Sequence, residues 1–329
     1  LSDREIRFLR DAPPAGRRAE RAELMQALDR VARSRTPETI ILVGAEGIGK
    51  TRLARWFAEE AHEEARAYTL RAHLDERGDL VGAMHGAFYR YLRAPCLEDG
   101  VVRRRLWSSL GLVSGAADPM TAFLVERQSL DLDPDLRTDA VARWATPWLN
   151  ALARVPCRAP ALPVLVWLDG GSAEDPAIHD WLRAIRRRPG PVVCVWSPDG
   201  PASASAGAAG GKVLVLGPLS DAAMRMETGR LVPGLARSAI EHAVARTHGN
   251  PRLLREVLGL WLRSDVLVGA PEGWIVPSET VDIAPAQLQD ALLDHVVEFV
   301  RRYDDSDGVQ DALECLAVMG GEFTVTQLA

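Results

Sequence analysis

Short apolar runs alternate with amphipathic segments along the first two thirds of the chain. Residues 20–32 carry Leu24, Leu28 and Val31 at the spacing i, i+4, i+7, which places them on one face of a helix. Runs that fit buried strands, with helical patterns between them, lie at residues 39–43, 67–72, 163–168, 192–196 and 213–216. Strands that alternate with helices favour an α/β fold, in which a five-stranded parallel sheet is covered on both faces.

The pattern changes after Gly217, where the strand runs stop and helices are predicted instead. These helices are expected at residues 220–229, 235–247, 251–263, 285–302 and 308–319. Residues 97–158, between the second and third strand runs, are predicted to form a helical insertion. The predicted division is a lead-in linker at 1–15, an α/β domain at 16–217, a helical unit at 218–280 and a further unit at 281–329.

Composition is that of an ordinary globular protein, and the charge narrows the range of partners. The 329 residues are 47% hydrophobic and 26% charged, with a net charge of −6. A negative chain attracts no polyanion, so DNA is not an expected partner. No apolar stretch approaches the length of about 18 residues that a membrane span needs, and no signal peptide is visible, so no membrane partner is expected either.

Cysteine usage favours a reducing compartment. Cys96, Cys157, Cys194 and Cys315 are far apart in the chain and form no CxxC pair. Because Cys194 lies inside the apolar run at 192–196, we expect it to be buried. The pattern favours a cytoplasmic protein over a disulfide framework.

Candidate chemistry begins directly after the first predicted strand. Residues 44–51 read Gly-Ala-Glu-Gly-Ile-Gly-Lys-Thr, a complete G-x-x-x-x-G-K-[ST] phosphate-binding loop. In such a loop backbone N–H groups surround the phosphates, Lys50 reaches the β- and γ-phosphates and the Thr51 hydroxyl ligates Mg²⁺. The alternative is a glycine-rich turn that only joins a strand to a helix. Nucleotide contacts are predicted at Gly44, Glu46, Gly47, Ile48, Gly49, Lys50, Thr51 and Arg52.

A carboxylate for the metal is found at the end of a second apolar run. Residues 164–168 form a predicted strand that ends in Asp169. At the carboxyl end of a strand near the phosphate-binding loop, Asp169 would face Mg²⁺ directly or through water. The alternative is an aspartate that starts a turn before Gly170 and Gly171. Thr51 and Asp169 are therefore the predicted metal residues.

Five segments resemble STAND-class ATPases, which are AAA+-related signal-transduction ATPases of bacterial type. The phosphate-binding loop is the first of them. Residues 168–176, Leu-Asp-Gly-Gly-Ser-Ala-Glu-Asp-Pro, resemble the family's Leu-Asp-Asp-Leu-His-Trp-Ala-Asp-Pro segment. Residues 14–20 resemble the Gly-Arg-Glu element before the first strand, and residues 249–251, Gly-Asn-Pro, resemble the Gly-x-Pro element of the helical lid. Residues 293–329 also resemble the start of the winged-helix unit that follows the lid.

This resemblance implies that ATP or ADP binds together with Mg²⁺. It places Arg17 near the nucleotide and Pro251 near the adenine. It identifies 16–217 as the nucleotide-binding domain, 218–280 as a helical lid and 281–329 as the start of a winged-helix domain. It also implies a homo-oligomer on activation and protein partners that act through domains outside this chain.

Three places depart from the family's pattern, and the first is Arg18, which replaces the first Glu of the leading element. Gly170 stands where the family has a second acid that positions the attacking water. The fourth strand run ends in Ser197-Pro198-Asp199, where the family has Thr-x-Arg. Glu174 or Glu46 could replace the missing acid at a different spacing, so the catalytic candidates are Asp169 and Glu174. Because phosphoryl transfer depends on positioned groups, we expect slow or attenuated ATP hydrolysis.

Three functions follow as hypotheses. The first is an ATP/ADP-binding signalling switch that couples nucleotide state to conformational change and self-assembly. The second is an active AAA+-type ATPase, which needs a catalytic acid and an arginine supplied by a partner subunit. The third is a degenerate nucleotide-binding scaffold that serves protein contacts.

Overall fold

A five-stranded sheet forms the centre of the first part of the chain in the computed structural model. The structure describes residues 13–74, 80–91, 101, 104, 162–187, 190–200, 210–263, 268–270 and 273–275. The strands are β1 (Glu38–Gly44), β2 (Tyr68–Leu74), β3 (Val164–Ser172), β4 (Val192–Asp199) and β5 (Lys212–Leu216). They run parallel in the order β2-β3-β4-β1-β5. The predicted α/β fold with five parallel strands is confirmed.

Burial along the strands explains why their apolar runs stand out in the sequence. The inner strands β1, β3 and β4 are buried at nearly every position, since layers of structure cover both faces of a parallel sheet. Cys194 in β4 is fully buried, as predicted. The edge strands β2 and β5 keep exposed positions along their length.

The same part of the chain contains four helices, α1 (Arg18–Ser34), α2 (Lys50–Glu63), α3 (Leu80–Tyr91) and α4 (Pro176–Arg186). The predicted apolar face of α1 is buried, and so are Leu53 and Phe57 of α2. These side chains share one core with residues of the inner strands, namely Ile40, Leu42, Leu165, Trp167, Val193 and Val195. This core fixes α2 against the sheet, and with it the loop that leads into the helix.

The order of the strands places the carboxyl ends of β3, β4 and β1 side by side. Strand β4 lies between β1, which leads into the phosphate-binding loop, and β3, which carries Asp169. Asp169 is paired in register with Ser197 of β4. Carboxyl ends of parallel strands meet at one edge of a sheet, and ligands commonly bind in the crevice there.

Residues after the sheet form a second set of elements. Contacts divide the chain into two units, Leu1–Leu219 and Ser220–Ala329. The second contains α5 (Asp221–Leu231), α6 (Arg237–Thr247) and α7 (Pro251–Arg263). Ser220 caps α5, because its side chain accepts a hydrogen bond from the Ala223 N–H at 3.3 Å.

One prediction for this unit is wrong. Strands do not stop after Gly217, because β6 (Val268–Ala270) and β7 (Gly273–Ile275) form an antiparallel hairpin. The backbone of Trp274 in this hairpin exchanges hydrogen bonds with Gly234 and Ala236, which tie it to the segment before α6. The predicted helices at 285–302 and 308–319, and the winged-helix start at 281–329, lie outside the described residues. So does the insertion at 97–158, apart from positions 101 and 104.

Candidate functional site

The phosphate-binding loop joins the end of β1 to the start of α2. Gly49 is the residue before the helix and has φ +102°, in the left-handed region where glycine is favoured. Helix α2 therefore begins at Lys50, with the unpaired N–H groups of its first turn at the loop. Such a helix start attracts phosphate through its N–H groups and its dipole.

Lys50 is held close to the loop. Its Nζ donates hydrogen bonds to the carbonyl oxygens of Gly44, at 2.9 Å, and Gly200, at 3.2 Å. Burial lowers the pKa of Lys50, and the negative charges of Asp199 and Glu46 oppose that lowering. Gly200 directly follows β4, so the lysine reaches from the loop to the neighbouring strand end.

Asp169 and Thr51 are adjacent. The Thr51 Oγ1 donates to Asp169 Oδ1 at 3.0 Å, and the carboxylate is buried, with 5% of the residue exposed. Ser197 Oγ also donates to this carboxylate oxygen, at 3.0 Å. Trp167 Nε1 in turn donates to Ser197 Oγ at 3.1 Å. The two predicted metal residues are therefore joined by a direct hydrogen bond.

An arginine that the sequence analysis did not single out lies at the same carboxylate. Arg71 of β2 forms an ion pair with Asp169 Oδ2 at 3.1 Å, and its guanidinium lies over the Trp167 ring, 4.3 Å from the centroid. His73, two residues along the strand, has Nδ1 at 3.9 Å from the same oxygen. Alternate residues of a strand share a face, so the spacing predicts only that Arg71 and His73 lie on the same side of β2.

Gly170, directly after Asp169, has an unusual backbone. Its φ is +89°, and the register of β3 against β4 shifts between Asp169 and Ser172. A Cβ on Gly170 would lie 2.7 Å from the Leu74 carbonyl oxygen and 3.2 Å from Asp199 Oδ2. The same Asp199 oxygen accepts a hydrogen bond from the Gly171 N–H at 3.0 Å. The position therefore requires glycine and lies against the carboxylate of Asp199.

The remaining predicted residues are dispersed. Arg17 is buried, and its Nη2 donates to the carbonyl oxygens of Ile48 in the loop, at 3.2 Å, and Gly217, at 2.6 Å. Glu174 is exposed in the turn after β3, where its backbone N–H donates to Ser172 Oγ at 3.2 Å. Other predicted residues are Glu46, which is exposed, Arg52, which is half-buried in α2, and Pro251, the first residue of α7 in the second unit.

The donor set fits a magnesium nucleotide. Thr51 and Asp169 offer a hydroxyl and a carboxylate, and Mg²⁺ prefers oxygen ligands, usually one or two from the protein with the rest from phosphates and water. Among the described residues there is no cluster of three or more His, Cys, Asp and Glu residues that could hold a metal. None of the described helices is long and apolar enough to cross a membrane.

Comparison with known proteins gives one family match and several structural matches. The model of a family described as AAA ATPase domain matches residues 13–195. A HORMA:CdnC:Trip13 complex from E. coli MS115-1 has a chain with a TM-score of 0.48 at 14% identity, covering 88% of this chain and 91% of that one. Among curated proteins, none is significantly similar in sequence.

Two archaeal structures are also similar. Cdc6p from Pyrobaculum aerophilum has a TM-score of 0.47 at 14% identity, with 78% of this chain and 63% of that chain covered. A signal transduction ATPase with numerous domains (STAND) from Pyrococcus horikoshii, which has a tetratricopeptide repeat sensor, has a TM-score of 0.46 at 12% identity, with 92% of this chain covered. The chain spans less than two thirds of the first protein and 35% of the second.

Proposed function

The chain belongs to the AAA ATPase domain family, and from this premise we propose that it is an ATP/ADP-binding signalling switch with attenuated hydrolysis. ATP or ADP would bind with Mg²⁺ at the phosphate-binding loop. The nucleotide state would then control conformation and self-assembly. Protein partners would act through domains outside this chain, in the cytoplasm of a bacterium.

The observation that carries the binding proposal is the 3.0 Å hydrogen bond between Thr51 Oγ1 and Asp169 Oδ1. It joins the phosphate-binding loop to the carboxylate of β3. These two residues would hold Mg²⁺, which neutralises phosphate charge when it is bound. Lys50, whose Nζ now donates to two carbonyl oxygens, would donate to the β- and γ-phosphates instead.

Attenuated hydrolysis is supported by Gly170. Glycine has no side chain that could orient a water molecule, and the surrounding backbone leaves no room for a side chain at this position. Loss of a single positioned group commonly costs about 10²–10³ in rate. Binding, in contrast, depends on the loop backbone, Lys50 and the metal residues, which are all present.

Coupling to conformation is supported by Arg17. This buried guanidinium joins the Ile48 carbonyl of the loop to Gly217, which follows the last strand of the sheet. A shift of the loop on phosphate binding would move the contact with Gly217. Ser220, where the second unit begins, lies three residues further along the chain.

An active AAA+-type ATPase is the second candidate, and the carboxylate of Asp199 beside Gly170 favours it. Steady-state ATP turnover at ordinary enzymatic rates, abolished in Lys50→Ala, would support that function over the switch. A degenerate nucleotide-binding scaffold that serves protein contacts is the third possibility. It would be supported if the purified chain binds no nucleotide.

The two lysines of the chain provide a matched test of binding. Lys50→Ala should weaken the affinity for fluorescent ADP and ATPγS about 10- to 100-fold, since it removes a charge-assisted contact of about 1.5–3 kcal/mol. Lys212→Ala removes an exposed ion pair with Glu23 and should leave the affinity unchanged. The measurement is an equilibrium titration with and without Mg²⁺, with the oligomeric state followed by light scattering. No affinity at micromolar protein would contradict the switch.

A further inference from the structure

The acid that position 170 lacks is supplied, we propose, by Asp199 at the end of the neighbouring strand, where it positions and deprotonates the water that attacks the nucleotide. This inference rests on the nucleotide binding of the proposed function, and it assigns the slow hydrolysis that the switch retains to Asp199. Strand β4 pairs with β3 and ends at Asp199. A Cβ on Gly170 would lie 3.2 Å from Asp199 Oδ2, so a carboxylate oxygen stands in contact with the place where a side chain at 170 would begin.

The Asp199 carboxylate is both held and reachable by water. Its Oδ2 accepts the hydrogen bond from the Gly171 N–H at 3.0 Å, which fixes the side chain against β3. The residue is exposed, whereas the seven preceding residues of β4 are buried. A fixed carboxylate at a solvent-accessible strand end has the properties that a water-positioning group needs.

Asp199 also lies on the side of the site where the terminal phosphate belongs. The residue that follows it, Gly200, accepts a hydrogen bond from Lys50 Nζ at 3.2 Å. The charge of Asp199 acts on the Lys50 ammonium group, against the larger effect of burial on its pKa. Because the lysine of a phosphate-binding loop reaches the β- and γ-phosphates, we expect bound ATP to place its terminal phosphate near this carboxylate.

The backbone explains why the acid comes from β4. The φ of residue 170 is +89°, and its Cβ would lie 2.7 Å from the Leu74 carbonyl oxygen, so it can carry no side chain without displacing β2. Of the two acids proposed as replacements, Glu174 is in the turn after β3 and Glu46 is in the loop itself, and neither supplies one of the three atoms nearest to a Cβ at residue 170. Asp199, in contrast, accepts the Gly171 N–H and lies beside the position that a Cβ of residue 170 would occupy.

The chemical step is hydrolysis of the terminal phosphoanhydride bond of ATP. The water oxygen bonds to the γ-phosphorus while one of its protons passes to the Asp199 carboxylate. The bond from the γ-phosphorus to the β,γ-bridging oxygen breaks, and its electron pair remains on ADP. The products are ADP and phosphate, and the carboxylic acid then returns its proton to solvent.

The decisive variant is Asp199→Asn. Asparagine Oδ1 can still accept the Gly171 N–H, but the amide cannot take a proton. Single-turnover phosphate release should slow about 10²–10³-fold, while the Kd for ADP changes less than about threefold. Asp180→Asn, which removes an exposed ion pair on α4, should change none of these values.

Asp199→Glu provides a second variant that keeps a carboxylate. It should retain more of the rate than Asp199→Asn does. An Asp199→Asn rate equal to wild type would overturn the proposal, as would equal losses in ADP affinity and rate, which indicate a structural role. A loss of rate in Glu174→Gln, with none in Asp199→Asn, would also overturn the proposal.

The two proposals fail in different ways. If the wild-type protein binds ADP but hydrolyses ATP no faster than Lys50→Ala does, the role of Asp199 is overturned and the switch stands. If the wild-type protein binds no nucleotide, the switch is overturned, and the role of Asp199 with it.

Discussion

Backbone geometry at single residues decides what the candidate site can contain. In the sequence, Asp169 is followed by Gly170, where the family that the chain resembles has a second acid. Substituting an acid at position 170 would be an obvious experiment. The left-handed φ of Gly170 and its contact with the Leu74 carbonyl cannot be read from the sequence, because they depend on the pairing of β3 with β2. The absent carboxylate is therefore a consequence of the backbone.

Gly170→Ala should destabilise the protein by about 1–3 kcal/mol, the usual cost of a side chain in a backbone region that disfavours it. Gly170→Asp should cost at least as much and should not raise ATP turnover. Gly217→Ala is the matched control, since an added Cβ meets nothing within 4 Å there. Urea unfolding followed by tryptophan fluorescence measures the difference. A Gly170→Asp protein of wild-type stability with faster turnover would contradict this explanation.

At the scale of elements, the sequence predicts those strands that are buried on both faces of the sheet. The inner strands β1, β3 and β4 are continuous apolar runs, so their positions follow from the pattern alone. The continuation of β3 through two glycines to Ser172 was not predicted, because glycine is rare in strands. The three-residue strands of the β6-β7 hairpin are too short to produce a periodic signal.

The roles of the residues in edge strand β2 become clear only once its register against β3 is known. The register places Arg71 opposite Trp167 and His73 opposite Asp169, so both side chains approach the Asp169 carboxylate. From the sequence alone, neither the partner strand nor its register could be derived. The phosphate-binding loop and Asp169 were identifiable because each directly follows an apolar run, whereas Arg71 lies within one.

Arg71→Gln should lower the Mg²⁺ concentration needed for half-maximal ATPγS binding about 2- to 5-fold. The guanidinium occupies Asp169 Oδ2 and brings a positive charge to the place where Mg²⁺ would be held. Because 44% of the Arg71 side chain is exposed, the pair is worth no more than about 1 kcal/mol. A Mg²⁺ titration at fixed nucleotide measures the shift, with Arg66→Gln, which removes ion pairs with Asp29 and Glu64, as the control. A higher Mg²⁺ requirement would show that Arg71 helps to form the site.

At the scale of the whole molecule, the proposed switch requires that a nucleotide at one edge of the sheet affects assembly. The chain contains two units, and the sheet ends just before Gly217, shortly before the second unit begins. Arg17, which precedes α1, contacts both the loop and this exit residue. The resemblance of residues 14–20 to a family element placed Arg17 near the nucleotide. Its contact with Gly217 depends on the folded chain, since the two residues are 200 positions apart.

Arg17→Met therefore tests the coupling. Methionine keeps much of the apolar volume but leaves the carbonyl oxygens of Ile48 and Gly217 without this donor, which should cost about 1–3 kcal/mol of stability. ADP affinity should fall no more than about tenfold, because Lys50 and the loop N–H groups remain. The difference in oligomeric state between the ADP- and ATPγS-bound forms, measured by light scattering, should disappear. Arg18→Met changes the exposed neighbouring arginine and should preserve that difference. If Arg17→Met binds nucleotide and still assembles in response to it, the signal reaches the second unit by another route.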